Sequence, residues 1–261
     1  MLQQVVRDLR ERDFTKETLV AIDAGRESVE ARWPNLVSVG ILGSLIPEEY
    51  GGAGGSLADT AVIFEELGRG PVPGPHLSSG VLAALVLLEG GTSEQQRALL
   101  HEIATGERIF ALAVTEEDYG WGPEFIRCPA RVNGVDFVVS GTKLYVHDAT
   151  EATDLIVAAR LENGNVGLLL VDVRAGGIAC RTLPGFATGL CEVSLSSLRV
   201  PRSALVGGGV EDGWAVLERV FLKAQLVLSA YQVGGLSEVF DLSLAYSQTR
   251  HQFGQAIGRF Q

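Results

Sequence analysis

The run from Trp214 to Tyr246 constrains the fold more than any other stretch of the chain. It has the period of a helix, and its first half is apolar nearly all round. Such a helix is stable only when it is buried on several sides, as in a bundle. Yet after Gly207, Gly208 and Gly209 the sequence holds only this one full helix and the start of another. Its neighbours must come from further chain, from a partner, or from both. Alone, the chain is expected to be poorly stable or oligomeric.

Upstream, the first 110 residues read as helices. Ser56 can cap a helix whose Leu57, Ala61, Phe64 and Leu67 share a face, with Gly68 as its stop. Thr92 and Gln95 form a capping-box pattern ahead of Leu99, Leu100 and Ile103. Between them, the Pro/Gly-rich stretch 70–75 reads as a loop. After about residue 110 the period shortens. Phe137–Val139, Leu155–Val157 and Gly167–Val173 are short β-rich runs, separated by turn signals such as Asn133-Gly134 and Asn163-Gly164. Val193 and Leu195, then Leu198 and Val200 after an irregularity, suggest a half-buried strand. The expected class is therefore α+β. It comprises an N-terminal α-helical domain (1–110), a central antiparallel β-barrel or sheet domain (111–206) and the beginning of a C-terminal helical bundle (207–261).

Composition excludes several functions. The 261 residues are 46% hydrophobic and carry a formal net charge of −11. A surface this acidic argues against nucleic acid and anionic membranes as partners, although local cations can still hold a phosphate-bearing small molecule. Cys128, Cys180 and Cys191 form no CxxC pair, and no His stands at metal-ligand spacing, so no metal is expected. The thiols read as buried or idle in a reducing cytosol. The N-terminus MLQQVVRDLRERDF lacks an apolar signal core, and the longest apolar run, Val81 to Leu88, is too short to span a bilayer. A soluble, cytoplasmic protein is expected.

The most specific signal lies at the C-terminal end of the chain. Arg250 is followed by Phe253-Gly254, Ile257 and Gln261. This resembles the signature of the acyl-CoA dehydrogenase family. Three other segments match in order. Ile46-Pro47-Glu48-Glu49-Tyr50-Gly51-Gly52 with Phe64-Glu65-Glu66-Leu67-Gly68-Arg69 is similar to the family's N-terminal helical domain. Ala113-Val114-Thr115-Glu116 resembles the segment that opens its β domain. Ser140-Gly141-Thr142-Lys143-Leu144-Tyr145-Val146-His147 resembles the segment beside its flavin. The likeness covers nearly the whole chain and lacks roughly the last third of a typical member.

The resemblance implies a C-terminal four-helix bundle, FAD as cofactor and an acyl-CoA thioester as substrate. The product would be a trans-2-enoyl-CoA, and electrons would pass to an accepting flavoprotein. Arg250 would approach the FAD pyrophosphate of a neighbouring subunit, where its fork of donors suits a diphosphate. Phe253 and Gln261 would contact the ADP part of the same FAD. Thr115 and Tyr145 would lie near the flavin ring. His147 stands where the family usually has Thr or Ser; a neutral His also donates a hydrogen bond, with a larger ring. His147 and Asp148 do not read as a base and its orienter, because adjacent strand residues point to opposite faces.

Other positions depart from the pattern. The family's Thr-Glu-Pro run becomes Thr115-Glu116-Glu117-Asp118-Tyr119-Gly120-Trp121-Gly122. The Pro is lost, Trp121 replaces a phosphate-touching Ser, and Glu117 and Asp118 would repel a nearby pyrophosphate. No catalytic base is assigned within the chain. It is expected beyond Gln261 or absent; the place some members use aligns near Ala224, followed by Gln225, and Glu218 lies nearly two turns away. Two functions stay open: a dehydrogenase subunit, or a degenerate non-catalytic partner in a homo- or hetero-oligomer.

Overall fold

Two helices start by the same device. Ser56 Oγ accepts the Asp59 N–H at 3.2 Å, and the Asp59 carboxylate accepts the Ser56 N–H at 2.9 Å. Thr92 and Gln95 repeat the exchange. Each box satisfies backbone donors that a helix start leaves open. The computed structural model describes residues 2–185, 189–209 and 212–260. Its N-terminal part holds α1 (Leu2–Asp13), α2 (Lys16–Asp23), α3 (Trp33–Ser38), α4 (Leu57–Arg69), α5 (Ala84–Gly90) and α6 (Ser93–Ala104). A π-helical turn, Ser78–Ala83, leads into α5.

Gly68, expected to stop α4, is instead inside it. The reason is a helix crossing. A Cβ on Gly68 would lie 1.9 Å from the Tyr231 carbonyl oxygen of α7 (Gly213–Thr249), and a Cβ on Gly234 would lie 1.8 Å from the Glu65 carbonyl oxygen. The glycines let two backbones touch.

Seven strands follow the helices: β1 (Phe110–Ala113), β2 (Pro129–Asn133), β3 (Asp136–His147), β4 (Asp154–Leu161), β5 (Val166–Asp172), β6 (Ile178–Thr182) and β7 (Leu190–Pro201). They form one curled sheet in the order β1-β4-β2-β3-β7-β6, with β5 also on β4. The sheet expected as antiparallel is mixed: β4 pairs in parallel with both β1 and β2. The long connection between β1 and β4 gives the chain room for a crossover, which a hairpin cannot supply. The irregularity expected in β7 is a bulge. Its register against β3 shifts between Val139 and Gly141, and Ser197 takes φ 50°.

One apolar cluster joins Phe64, Leu67, Leu87, Leu100 and Phe110 to Trp214, Leu217, Val220 and Val227 of α7. A second fills the sheet around Val139, Val157 and Val193. Other apolar side chains of α7 stay exposed, beginning in its first half with Leu222, Leu226 and Leu228. Leu236, Val239, Phe240, Leu242 and Leu244 are all exposed, as the need for helical neighbours anticipates. Beyond α7, β8 (His251–Gln252) and β9 (Gln255–Ala256) make a small hairpin. Among the described residues, no helix is long and apolar enough to cross a membrane.

Candidate functional site

The two segments expected to share a site do meet. The Leu144 N–H donates to the Thr115 carbonyl at 2.9 Å, and Lys143 Nζ donates to the Val114 carbonyl at 3.2 Å. These bonds lay residues 114–116 along the last residues of β3. Thr115 is half-buried there. Tyr145 sits in a bulge of β3 at φ 54°, which turns its ring outward and leaves it 46% exposed. A positive φ costs energy on a bulky residue and marks a place worth testing for function. His147 reaches solvent at the strand end, yet the chain packed around it lowers its pKa below the ordinary histidine range. Its ring is therefore neutral at pH 7 and can donate one hydrogen bond. Asp148, just beyond the strand end at φ 58°, instead accepts from Ser78 Oγ at 2.6 Å.

The acidic loop is less repulsive than its sequence suggests. Glu116 Oε1 lies 2.7 Å from the fully buried Lys143 ammonium, and Glu116 also accepts the Arg127 and Cys128 N–H groups at 3.0 Å. Burial lowers the Lys143 pKa, and the Glu116 carboxylate works against that shift. Asp118 pairs with Arg127 at 2.6 Å. Glu117 and Asp118, the two acids expected to repel a pyrophosphate, both stay exposed on the loop, Asp118 within its pair with Arg127.

Trp121 packs against the start of α7. Its ring packs on Phe221 at 4.8 Å and on Trp214 at 5.4 Å, between centroids, with 63% of the residue still exposed. Tyr119 packs on Tyr145 at 5.7 Å. Five aromatics thus stand on this loop and its supports, with Tyr119, Tyr145 and Trp121 largely exposed and Trp214 buried. Such a patch is where a planar or apolar ligand docks.

The signature at the end of α7 lies apart. Arg250 caps α7 and is exposed; its carbonyl accepts the Ile257 N–H at 2.8 Å. Phe253 and Gly254 make the hairpin turn at φ 48° and 83°. Phe253 is 94% exposed and meets the Phe260 ring edge-on at 6.2 Å between centroids. Gln261 lies outside the described residues. So Thr115, Tyr145 and His147 come together, while Arg250 and Phe253 face outward from a different place.

On α7, Ala224 is buried and Glu218 Oε1 accepts the Trp214 indole N–H at 2.8 Å. A cavity of about 230 Å³ between α5, β5 and the start of α7 is lined by none of the candidate residues. No cluster of metal-ligand residues occurs among the described residues. Sequence reasoning missed the Lys143–Glu116 pair and the landing of Trp121 on Phe221. A Lys in a strand flanked by apolar residues was the available signal for the first.

The family models for the acyl-CoA dehydrogenase N-terminal domain and C-terminal domain match residues 1–107 and 211–261. Acyl-CoA dehydrogenase IpdE2 of Mycolicibacterium smegmatis is 31% identical over 266 residues, covering 100% of this chain and 68% of that protein. The chain belongs to the acyl-CoA dehydrogenase family. Among solved structures, the ChsE4–ChsE5 complex from Mycobacterium tuberculosis is 27% identical, with TM-score 0.87 over 99% of this chain and 69% of that one. A glutaryl-CoA dehydrogenase from Mycobacterium smegmatis in complex with FADH2 shares the fold, with TM-score 0.90 and 21% identity over 99% of this chain and 67% of that one. The chain spans 45% to 72% of the length of the curated relatives it matches.

The residues present fit a flavin. A planar flavin ring needs aromatic surface beside it. Here Tyr145 and Trp121 supply exposed ring surface, and Glu116 and Asp118 are each held by a cation.

Proposed function

We propose that this chain binds FAD and takes part in the α,β-dehydrogenation of an acyl-CoA thioester to a 2-enoyl-CoA. The observation that carries the reading is the bond from Leu144 N–H to Thr115 O, which joins the two family segments at an exposed aromatic edge. FAD, when bound, accepts the hydride from Cβ of the substrate. Tyr145 gives the ring a flat neighbour. Thr115 offers its hydroxyl, and neutral His147 a single donor, both toward the flavin.

No base for the Cα proton stands at the place on α7 where some family members carry it. Ala224 has no base, and Glu218 is committed to the Trp214 indole. In this reading the base is a carboxylate beyond Gln261, as the family resemblance implies. Arg250 and Phe253, aimed outward, would hold the FAD of another subunit in a homo- or hetero-oligomer, and an electron-accepting flavoprotein would be the further partner. The free cysteines suit a reducing compartment such as the cytoplasm. The non-catalytic alternative is not favoured, since the related proteins named above include dehydrogenases.

The test is the visible absorption spectrum of the purified chain after free FAD is removed. Near-stoichiometric bound flavin, bleached by an acyl-CoA, is the expected result. A folded protein that stays colourless, alone and with an added dehydrogenase subunit, overturns the proposal.

A further inference from the structure

Two neighbouring serines tie the N-terminal helices to the two strands that carry the candidate site. They open the π-helical turn Ser78–Ala83, in which the Leu82 N–H donates five residues back to Leu77 O at 2.9 Å. Single π turns are rare and concentrate at functional sites. Both serines are buried. Ser78 Oγ donates to Asp148 Oδ2 at 2.6 Å, and Ser79 Oγ accepts the Phe110 N–H at 3.1 Å.

The partners matter because of where they stand. Phe110 opens β1, the strand that runs toward Thr115. Asp148 follows His147, the last residue of β3, and lies three residues beyond Tyr145. Asp148 is held at φ 58°, and its N–H donates to Gly189 O at 2.8 Å. Its backbone is thereby fixed while its carboxylate reaches across to the helices. Burial pushes the Asp148 pKa up to about 6, with the Ser78 hydroxyl pulling against that rise and Glu151 adding to it. Positive φ and a desolvated carboxylate are both unfavourable, and they coincide at one residue beside the site.

We infer that Ser78 and Ser79 are a positioning pair: through Asp148 and Phe110 they set the placement of Tyr145 and His147 relative to Thr115. The meaning of that placement rests on the flavin reading above. The placement itself does not, and it can be measured without flavin.

The experiment is hydrogen–deuterium exchange on the flavin-free chain, followed by FAD titration read from bound-flavin absorption. Ser78→Ala is expected to speed exchange at residues 145–149 by roughly tenfold, the scale of one hydrogen bond to a charged group. Residues 110–113 should not respond. Ser79→Ala should do the reverse. Because a buried serine change can disturb the helices, Asp148→Gly is the second variant: glycine accepts φ 58° and leaves the helices untouched. It should reproduce the Ser78→Ala effect, and Asp148→Asn, which keeps an acceptor for Ser78, should not. In the loaded protein, Ser78→Ala and Asp148→Gly should shift the flavin absorption band and weaken FAD binding roughly tenfold, with Asp148→Asn near wild type. Unchanged exchange at 145–149 in both Ser78→Ala and Asp148→Gly overturns the inference. Altered exchange in these variants, when the unaltered chain takes up no FAD either alone or with an added dehydrogenase subunit, supports the clamp and overturns the flavin reading instead.

Discussion

Replacing Gly68 or Gly234 by alanine sets two effects of opposite sign against each other. Inside an isolated helix, Gly to Ala gains about 1 kcal/mol. At this crossing, the new Cβ would stand 1.9 Å from Tyr231 O for Gly68→Ala and 1.8 Å from Glu65 O for Gly234→Ala. An ordinary carbon–oxygen contact needs more than 3 Å, so α4 and α7 must part by roughly 1.3 Å. A gap of 0.5–1 Å already forfeits about a quarter to a half of each dispersion contact. Phe64, Leu67 and Val227, all fully buried beside the crossing, lose theirs together. Overpacking alone costs about 1–3 kcal/mol, and the parted core adds to it. We therefore expect a net loss of about 3 kcal/mol for either variant. For a chain of this size that is a fall in Tm of roughly 10 °C, read by circular dichroism in a thermal scan. The double variant should lose less than the sum, since helices already apart accept the second methyl. A Tm that rises, or that stays within a degree, would falsify the close-contact reasoning and leave helix propensity in charge.

Three further outcomes are expected. The Asp148 pKa stands at about 6 against the ordinary 3.8. Its contribution to stability is thus fully present below 3.8 and lost as pH rises through about 6. Asp148→Asn should raise the urea midpoint at pH 7.5, by about 1–2 kcal/mol once partial solvation is allowed for, and give no gain at pH 4; an equal effect at both pH values would contradict this. Lys143→Met removes the cation from Glu116 and should cost about 3 kcal/mol, while adding Glu116→Gln should recover part of it; strictly additive losses in a double-mutant cycle would rule out the pair as the cause. Phe253→Ala alters a side chain 94% exposed, so Tm should stay within about 1 °C while subunit association, followed by analytical ultracentrifugation, weakens; a large Tm drop in monomer would show that the ring supports its own chain.

Much of the fold was legible because it rests on local rules. The switch from helical to strand period near residue 110 needs only sequence, as do the two capping boxes and the interruption in β7. What escaped depends on contacts between distant residues. Gly68 reads as a helix stop until the backbone of Tyr231 is found against it. The parallel pairing of β1 with β4 leaves no pattern in either strand. Ser78 and Asp148 are 70 residues apart, and nothing in either neighbourhood announces the other.

The same division governs the candidate site. The sequence reports three acids in a row after Thr115 and a chain with net charge −11, and both suggest hostility to a dinucleotide. The fold answers two of the three with a cation, Lys143 at 2.7 Å from Glu116 and Arg127 at 2.6 Å from Asp118. At those separations the pairs look nearly neutral to a ligand several ångströms off, and salt screens what remains beyond about 10 Å. Net charge therefore bears on how fast an anionic ligand approaches this protein. Whether it can dock depends on which acids the fold has already paired with a cation, and that cannot be counted from composition.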